Sequence, residues 1–165
     1  MESKWALFDI AANLTNERFQ GKYNGKKKHL PDIDTVVARA RKSNVTNMIV
    51  SATQLSDFGE VLSMAKKYDN TYCTFGIHPC TSNEYIKKNI PIDEYFKSIE
   101  KCIQEEMPNG KLVAIGECGL DYDRLFCSPK EHQNKVFPFH FALSEKYKLP
   151  LYLHSRNTNG EFASK

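Results

Sequence analysis

Short β-branched runs alternate with one-sided apolar stripes along this chain, and that alternation restricts the fold more than any other feature of the sequence. Strands are expected at 5–10, 46–52, 71–77, 111–115 and 149–154. Between them apolar residues recur at helical offsets: Ile33, Val36, Val37 and Ala40, then Phe58, Val61, Leu62 and Ala65, then Ile92, Tyr95, Phe96, Ile99 and Ile103. Asp32 stands where a cap belongs, and Pro108-Asn109-Gly110 closes the third stripe. Ser128-Pro129-Lys130-Glu131 reads as a capping box with proline at the first helical position, so a fourth helix is expected from there towards Lys148. Pro138 predicts a kink or a restart within it, because an interior proline costs roughly 3 kcal/mol.

Parallel strands need long crossovers, and helices make those crossovers, so the pattern predicts a parallel α/β architecture in one domain over 1–165. A complete eight-stranded barrel takes about 250 residues. Five strands in 165 residues therefore suit the first part of a barrel, with a five-stranded doubly wound sheet as the alternative.

Charge narrows the partners only a little. Lys and Arg number 23 against 20 Asp and Glu, so attraction for a polyanion must come from a local cluster. Lys22, Lys26, Lys27 and Lys28 with Tyr23 form one, offering phosphate contacts and a stacking ring. A solvated basic loop explains them nearly as well. The five cysteines include no Cys-x-x-Cys pair and read as reduced thiols. Glu2 and Lys4 precede an apolar run too short for a leader, and no run approaches membrane-spanning length, so a cytoplasmic or nuclear location without membrane contact is expected.

Chemistry concentrates where two strands end. VAIGECGLDYDR at 113–124 carries a strand into Glu117, two glycines, Asp121 and Asp123, and LYLHSR at 151–156 delivers His154 and Arg156. The C-terminal ends of parallel strands are where α/β proteins build their sites. His154 and Arg156 share a side of an extended strand, so an imidazole on metal and a guanidinium on phosphate can face one substrate. The same alternation turns Cys118 away from Glu117, where a buried thiol acts as a small hydrophobe.

DIAANLT at 9–15, then Phe19, Gly21, Tyr23, Gly25, His29 and Asp32, GIHP at 76–79, GECGLDYDRL at 116–125 and LPLYLHSRN at 149–157 together resemble the TatD family of metal-dependent deoxyribonucleases, most nearly its eukaryotic branch. The resemblance implies a TIM (β/α)8 barrel of the amidohydrolase type, present here as a truncated N-terminal part with about five βα units. It implies a divalent metal (Mg2+, Mn2+ or Zn2+), hydrolysis of DNA phosphodiester bonds and exonuclease action on single-stranded or frayed ends. Glu117 and His154 match its catalytic metal ligands, and His78 matches a residue tied to the substrate phosphate, where Arg156 joins it. Asp121 and Asp9 are read as outer carboxylates that orient groups without binding metal.

Two departures bear on what the chain can do. Bacterial members place a His-x-His pair after the first aspartate, and Ala11 and Asn13 stand there here, a loss shared by the eukaryotic branch. The family also supplies a histidine from its sixth strand and an aspartate from its eighth, beyond the five expected here. A truncated, non-catalytic protein that binds nucleic acid or a partner is thus one alternative. An amidohydrolase acting on a small amide or ester is another, since a fold does not fix its substrate.

Overall fold

The computed structural model describes residues 5–165, and Glu2 and Lys4 lie outside them. In chain order it contains β1 (Leu7–Asp9), β2 (Lys22–Tyr23), β3 (Lys26–Lys27), α1 (Ile33–Lys42), β4 (Val45–Ala52), α2 (Phe58–Lys67), β5 (Thr71–Phe75), α3 (Glu84–Lys87), α4 (Ile92–Glu106), β6 (Leu112–Asp121), α5 (Lys130–Tyr147) and β7 (Leu151–Arg156). Strands β1, β4, β5, β6 and β7 form one parallel sheet in that order, and β2 pairs with β3 in a separate antiparallel hairpin.

The strand order decides the architecture. A doubly wound sheet reverses its order at a switch point, whereas here each strand of the large sheet lies beside the next one in the chain. Right-handed crossovers then lay the helices on one face, and the sheet curls as part of a barrel. The chain is a five-stranded half-barrel, the (β/α)5 portion of a TIM barrel.

The three inner strands, β4, β5 and β6, are buried where they meet that helical layer. Along β4, Met48, Val50 and Ala52 are buried while Asn47, Ile49 and Ser51 on the opposite face are half-buried, the two-residue period of a pleated strand. The stripes read from the sequence supply the other side of the core: Phe58, Val61, Leu62 and Ala65 from α2, and Tyr95, Phe96, Ile99 and Ile103 from α4. Removing each of the larger aliphatic and phenylalanine side chains among them from water stabilises the fold by about 1.5–3 kcal/mol. The opposite face holds an apolar hollow of about 410 Å³ lined by residues that include Phe8, Ile49, Tyr72 and Val113.

Local expectations differ from the structure at four places. Helix α5 runs through Pro138 without a restart, because Pro138 lies on the exposed face, where the carbonyl it leaves unbonded can meet water. The helix begins at Lys130 with Pro129 as its cap, and the Ser128 hydroxyl is buried with no hydrogen-bond partner, so the capping box does not form. Asp32 occupies the cap position of α1 without a side-chain bond to the helix. Strand β6 continues to Asp121 rather than stopping at Ile115.

One buried polar residue couples the layers. His140 on α5 accepts the Ile77 N–H at its Nε2 (2.9 Å) and contacts the Phe137 carbonyl through Nδ1 (3.1 Å), which fixes a neutral ring with its hydrogen on Nδ1. Burial pushes its pKa down to about 4. The folded chain cannot take up a proton that the unfolded chain binds below pH 6.5, so this contribution to stability is present above pH 6.5 and is lost as pH falls towards 4. The loss from His140 between pH 7 and pH 5 should be about 2 kcal/mol. Urea unfolding of the wild type and of His140→Gln at both pH values should show a markedly flatter response in the variant.

Candidate metal centre

The site is built on a bulge between β6 and β7. Gly116 pairs with Tyr152 and Cys118 with Leu153, so Glu117 is the extra residue with no partner across the ladder. Bulges of this kind re-aim a side chain beside a site. Gly116 and Gly119 have φ of +138° and +145°, and a Cβ on them would stand 2.2 Å from the Tyr152 carbonyl oxygen and 1.9 Å from that of His154. Only glycine lets the two backbones run this close.

Glu117 Oε1 lies 2.7 Å from His154 Nδ1, and His154 Nε2 lies 3.2 Å from Asp121 Oδ2. The imidazole is therefore clasped between two carboxylates. Asp121 is fully buried, and its main chain is clamped by Gln133, whose Oε1 accepts the Asp121 N–H while its Nε2 donates to the Asp121 carbonyl. Its Oδ1 accepts the Asp123 N–H.

His78 enters from the turn after β5. Its Nε2 lies 3.7 Å from Glu117 Oε1, and its ring meets that of His154 edge-on with centroids 4.6 Å apart. Its Nδ1 accepts the Cys80 N–H (3.0 Å), which in the neutral ring leaves the hydrogen on Nε2, facing Glu117. His78, Glu117 and His154 offer ligand atoms that all lie within 4.8 Å of one another. Co-ligands of a small divalent cation sit about 3 to 4 Å apart, so the cluster is positioned to coordinate one.

Each group's charge follows from its surroundings. The hydrogen bond that the Glu117 carboxylate accepts raises the His154 pKa, and the same bond holds the Glu117 carboxyl below its ordinary range against the opposing effect of burial. Burial lowers the His78 pKa, keeping that ring neutral. With Asp121 on Nε2, His154 offers Nδ1 as its ligating atom, a carboxylate–histidine arrangement that orients a metal ligand. A carboxylate and an imidazole suit a hard or borderline divalent ion.

The remaining candidates are placed differently. Asp9 is exposed, and its Oδ1 accepts the Ala11 N–H of its own loop (3.0 Å). Arg156 donates its Nε to Asp123 Oδ2 (2.8 Å), and Asn157 donates to the other oxygen of that carboxylate. Ala11 and Asn13 help line a cavity of about 220 Å³ beside Glu117, with Ser51, Thr53 and Tyr152, so neutral groups stand where imidazoles were missed. The basic cluster forms the β2–β3 hairpin, with the Arg18 guanidinium 5.0 Å from the Tyr23 ring centre. Gln133 and His140 carry little signal in the sequence. Their one sequence signal is two polar residues on the same helical stripe as Val136, Phe137 and Leu143.

The family model for TatD related DNase matches residues 8–164. The chain belongs to the TatD-related DNase family. It is 34% identical over 156 residues to a protein of Schizosaccharomyces pombe named deoxyribonuclease Tat-D, covering 94% of this chain and 50% of that one. It is 30% identical over 156 residues to a 3'-5' ssDNA/RNA exonuclease TatD of Shigella flexneri, covering 94% and 52%. The crystal structure of a TatD family hydrolase from Entamoeba histolytica superposes with a TM-score of 0.80 at 36% identity, covering 96% of this chain and 52% of that one. The chain thus spans about half the length of the curated relatives it matches. Among the described residues of this TatD-related chain, no helix is long and apolar enough to cross a membrane.

Two outcomes test the TatD-related centre as built here. Gly119→Ala should cost ~3 kcal/mol or more, since the Cβ collides with backbone that cannot yield; chemical denaturation would read it. Cation binding must displace the proton shared by Glu117 and His154, so Mn2+ affinity should rise with pH through the raised His154 pKa, with about one proton released per ion. Titration calorimetry in buffers of different ionisation enthalpy would count that proton.

Proposed function

We propose that this chain carries the catalytic centre of a metal-dependent hydrolase that cuts DNA phosphodiester bonds, acting as an exonuclease on single-stranded or frayed ends. The observation that carries the reading is the convergence of His78 from the turn after β5, Glu117 from the bulge in β6 and His154 from β7, three neighbouring parallel strands. The fungal and bacterial relatives, named a deoxyribonuclease and an ssDNA/RNA exonuclease, support the substrate class.

Glu117 and His154 Nδ1 would hold the cation, whether Mg2+, Mn2+ or Zn2+. When bound it supplies concentrated positive charge against a phosphoryl oxygen and an attacking water. Asp121 holds the His154 Nε2 hydrogen and so keeps the Nδ1 lone pair directed at the centre. His78, with its hydrogen on Nε2, donates to a non-bridging phosphate oxygen. Arg156 meets the phosphate with its terminal nitrogens while Asp123 steadies its Nε. The cavity that Glu117 shares with Ala11 and Asn13 accepts the nucleotide next to the scissile bond, and its lack of imidazoles favours one bound cation over two. The lysines of the β2–β3 hairpin follow the strand through its phosphates.

The test is incubation of the 165-residue chain with end-labelled single-stranded DNA and Mn2+ or Mg2+. Stepwise shortening is expected, abolished by EDTA and reduced roughly a hundredfold or more by Glu117→Ala, since even the outer partners of metal ligands are worth 10–100-fold. A folded chain that retains DNA in a salt-sensitive manner without shortening it would instead be a binding protein.

A further inference from the structure

We propose that Cys80 and Cys127 are a disulfide-forming pair that straps together two loops at the mouth of the metal centre. Cys80 lies in the turn after β5, and Cys127 in the turn between β6 and α5. Their thiols are near enough for Cys127 to perturb the ionisation of Cys80. The loops are already docked: Asn83 Nδ2, from the Cys80 side, donates to the Cys127 carbonyl (3.0 Å), and the Cys127 N–H closes its own turn on the Arg124 carbonyl (2.9 Å).

The pair differs from the other three cysteines. Cys73 and Cys118 are fully buried, and Cys102 lies apart on α4. Cys80 and Cys127 are both partly exposed, open to a small oxidant. Burial, then the neighbouring Cys127 thiol, push the Cys80 thiol up to about 11. The pair therefore relies on proximity rather than on a standing thiolate: whichever sulfur is oxidised first meets its partner without diffusion.

The chemistry is a two-electron oxidation by a hydroperoxide. With hydrogen peroxide, one thiol gives a sulfenic acid and a water, and the second thiol attacks that sulfur, forming the S–S bond and releasing a second water. Both S–H bonds are lost, the peroxide O–O bond is cleaved, and a dithiol reductant reverses the change. The strap spans the turn whose Cys80 N–H sets the hydrogen on His78, so it fixes that turn against the loop following Asp121.

The experiment oxidises the 165-residue chain with hydrogen peroxide, blocks free thiols by alkylation and maps peptides without reduction. The expected product is a linked peptide pair containing Cys80 and Cys127, an intact mass lower by two hydrogens, and reversal by dithiothreitol. The oxidised chain should melt about 3 °C or more above the reduced one, because the link restrains the unfolded state. Cys80→Ser and Cys127→Ser, each with an unchanged circular dichroism spectrum, should lose both the mass change and the melting shift. Independent alkylation or over-oxidation of the two cysteines with no linked peptide would overturn the proposal, as would a mass change that persists in either folded variant.

Discussion

Everything in the metal centre depends on two backbones passing too close for a side chain. Where β6 meets β7, Gly116 and Gly119 turn positions that a Cβ would block into contacts with the carbonyls of Tyr152 and His154. That closeness accommodates the bulge at Glu117, and the bulge brings its carboxylate onto the His154 ring. The conformational freedom that makes glycine a poor strand residue is here what permits the geometry. Farther along the same strand, Asp121 takes the other side of the ring, so one strand supplies both carboxylates that hold the histidine.

The centre keeps its charges in tension. Two carboxylates around one imidazole favour a protonated ring, and protonation is the state that denies a cation its ligand. A proton and a metal ion would thus compete for the space between Glu117 and His154, while burial holds the His78 ring away from protonation. The arrangement divides the labour among three similar groups by environment alone: one imidazole pulled towards charge, one held away from it, and a carboxylate whose pKa the first of them lowers.

Much of this was legible in the residues. The alternation of strand and stripe yields the parallel sheet, and the helical offsets of α2 and α4 identify core positions that are in fact buried. Glu117, His154 and His78 stand out because polar groups end apolar runs, and the structure brings them together. Less visible were features that depend on partners distant in the chain. The bulge exists only in register with β7, so β6 seemed to stop at Ile115. Gln133 and His140 read as ordinary helix residues until the backbone groups they satisfy, those of Asp121 and Ile77, come into place beside them. Pro138 and Ser128 misled for the converse reason, since the cost of a proline and the use of a cap both depend on whether water reaches the backbone there.

The hydrogen on His78 is set by a main-chain amide, not by a side chain. Any residue except proline brings that amide, so position 80 carries no obligation to the imidazole beyond its backbone. The tautomer is in effect hard-wired while the side chain at 80 is free to vary. A thiol found there can be read for what it does to its own neighbours, and exchanging it leaves the protonation of the site's histidine undisturbed.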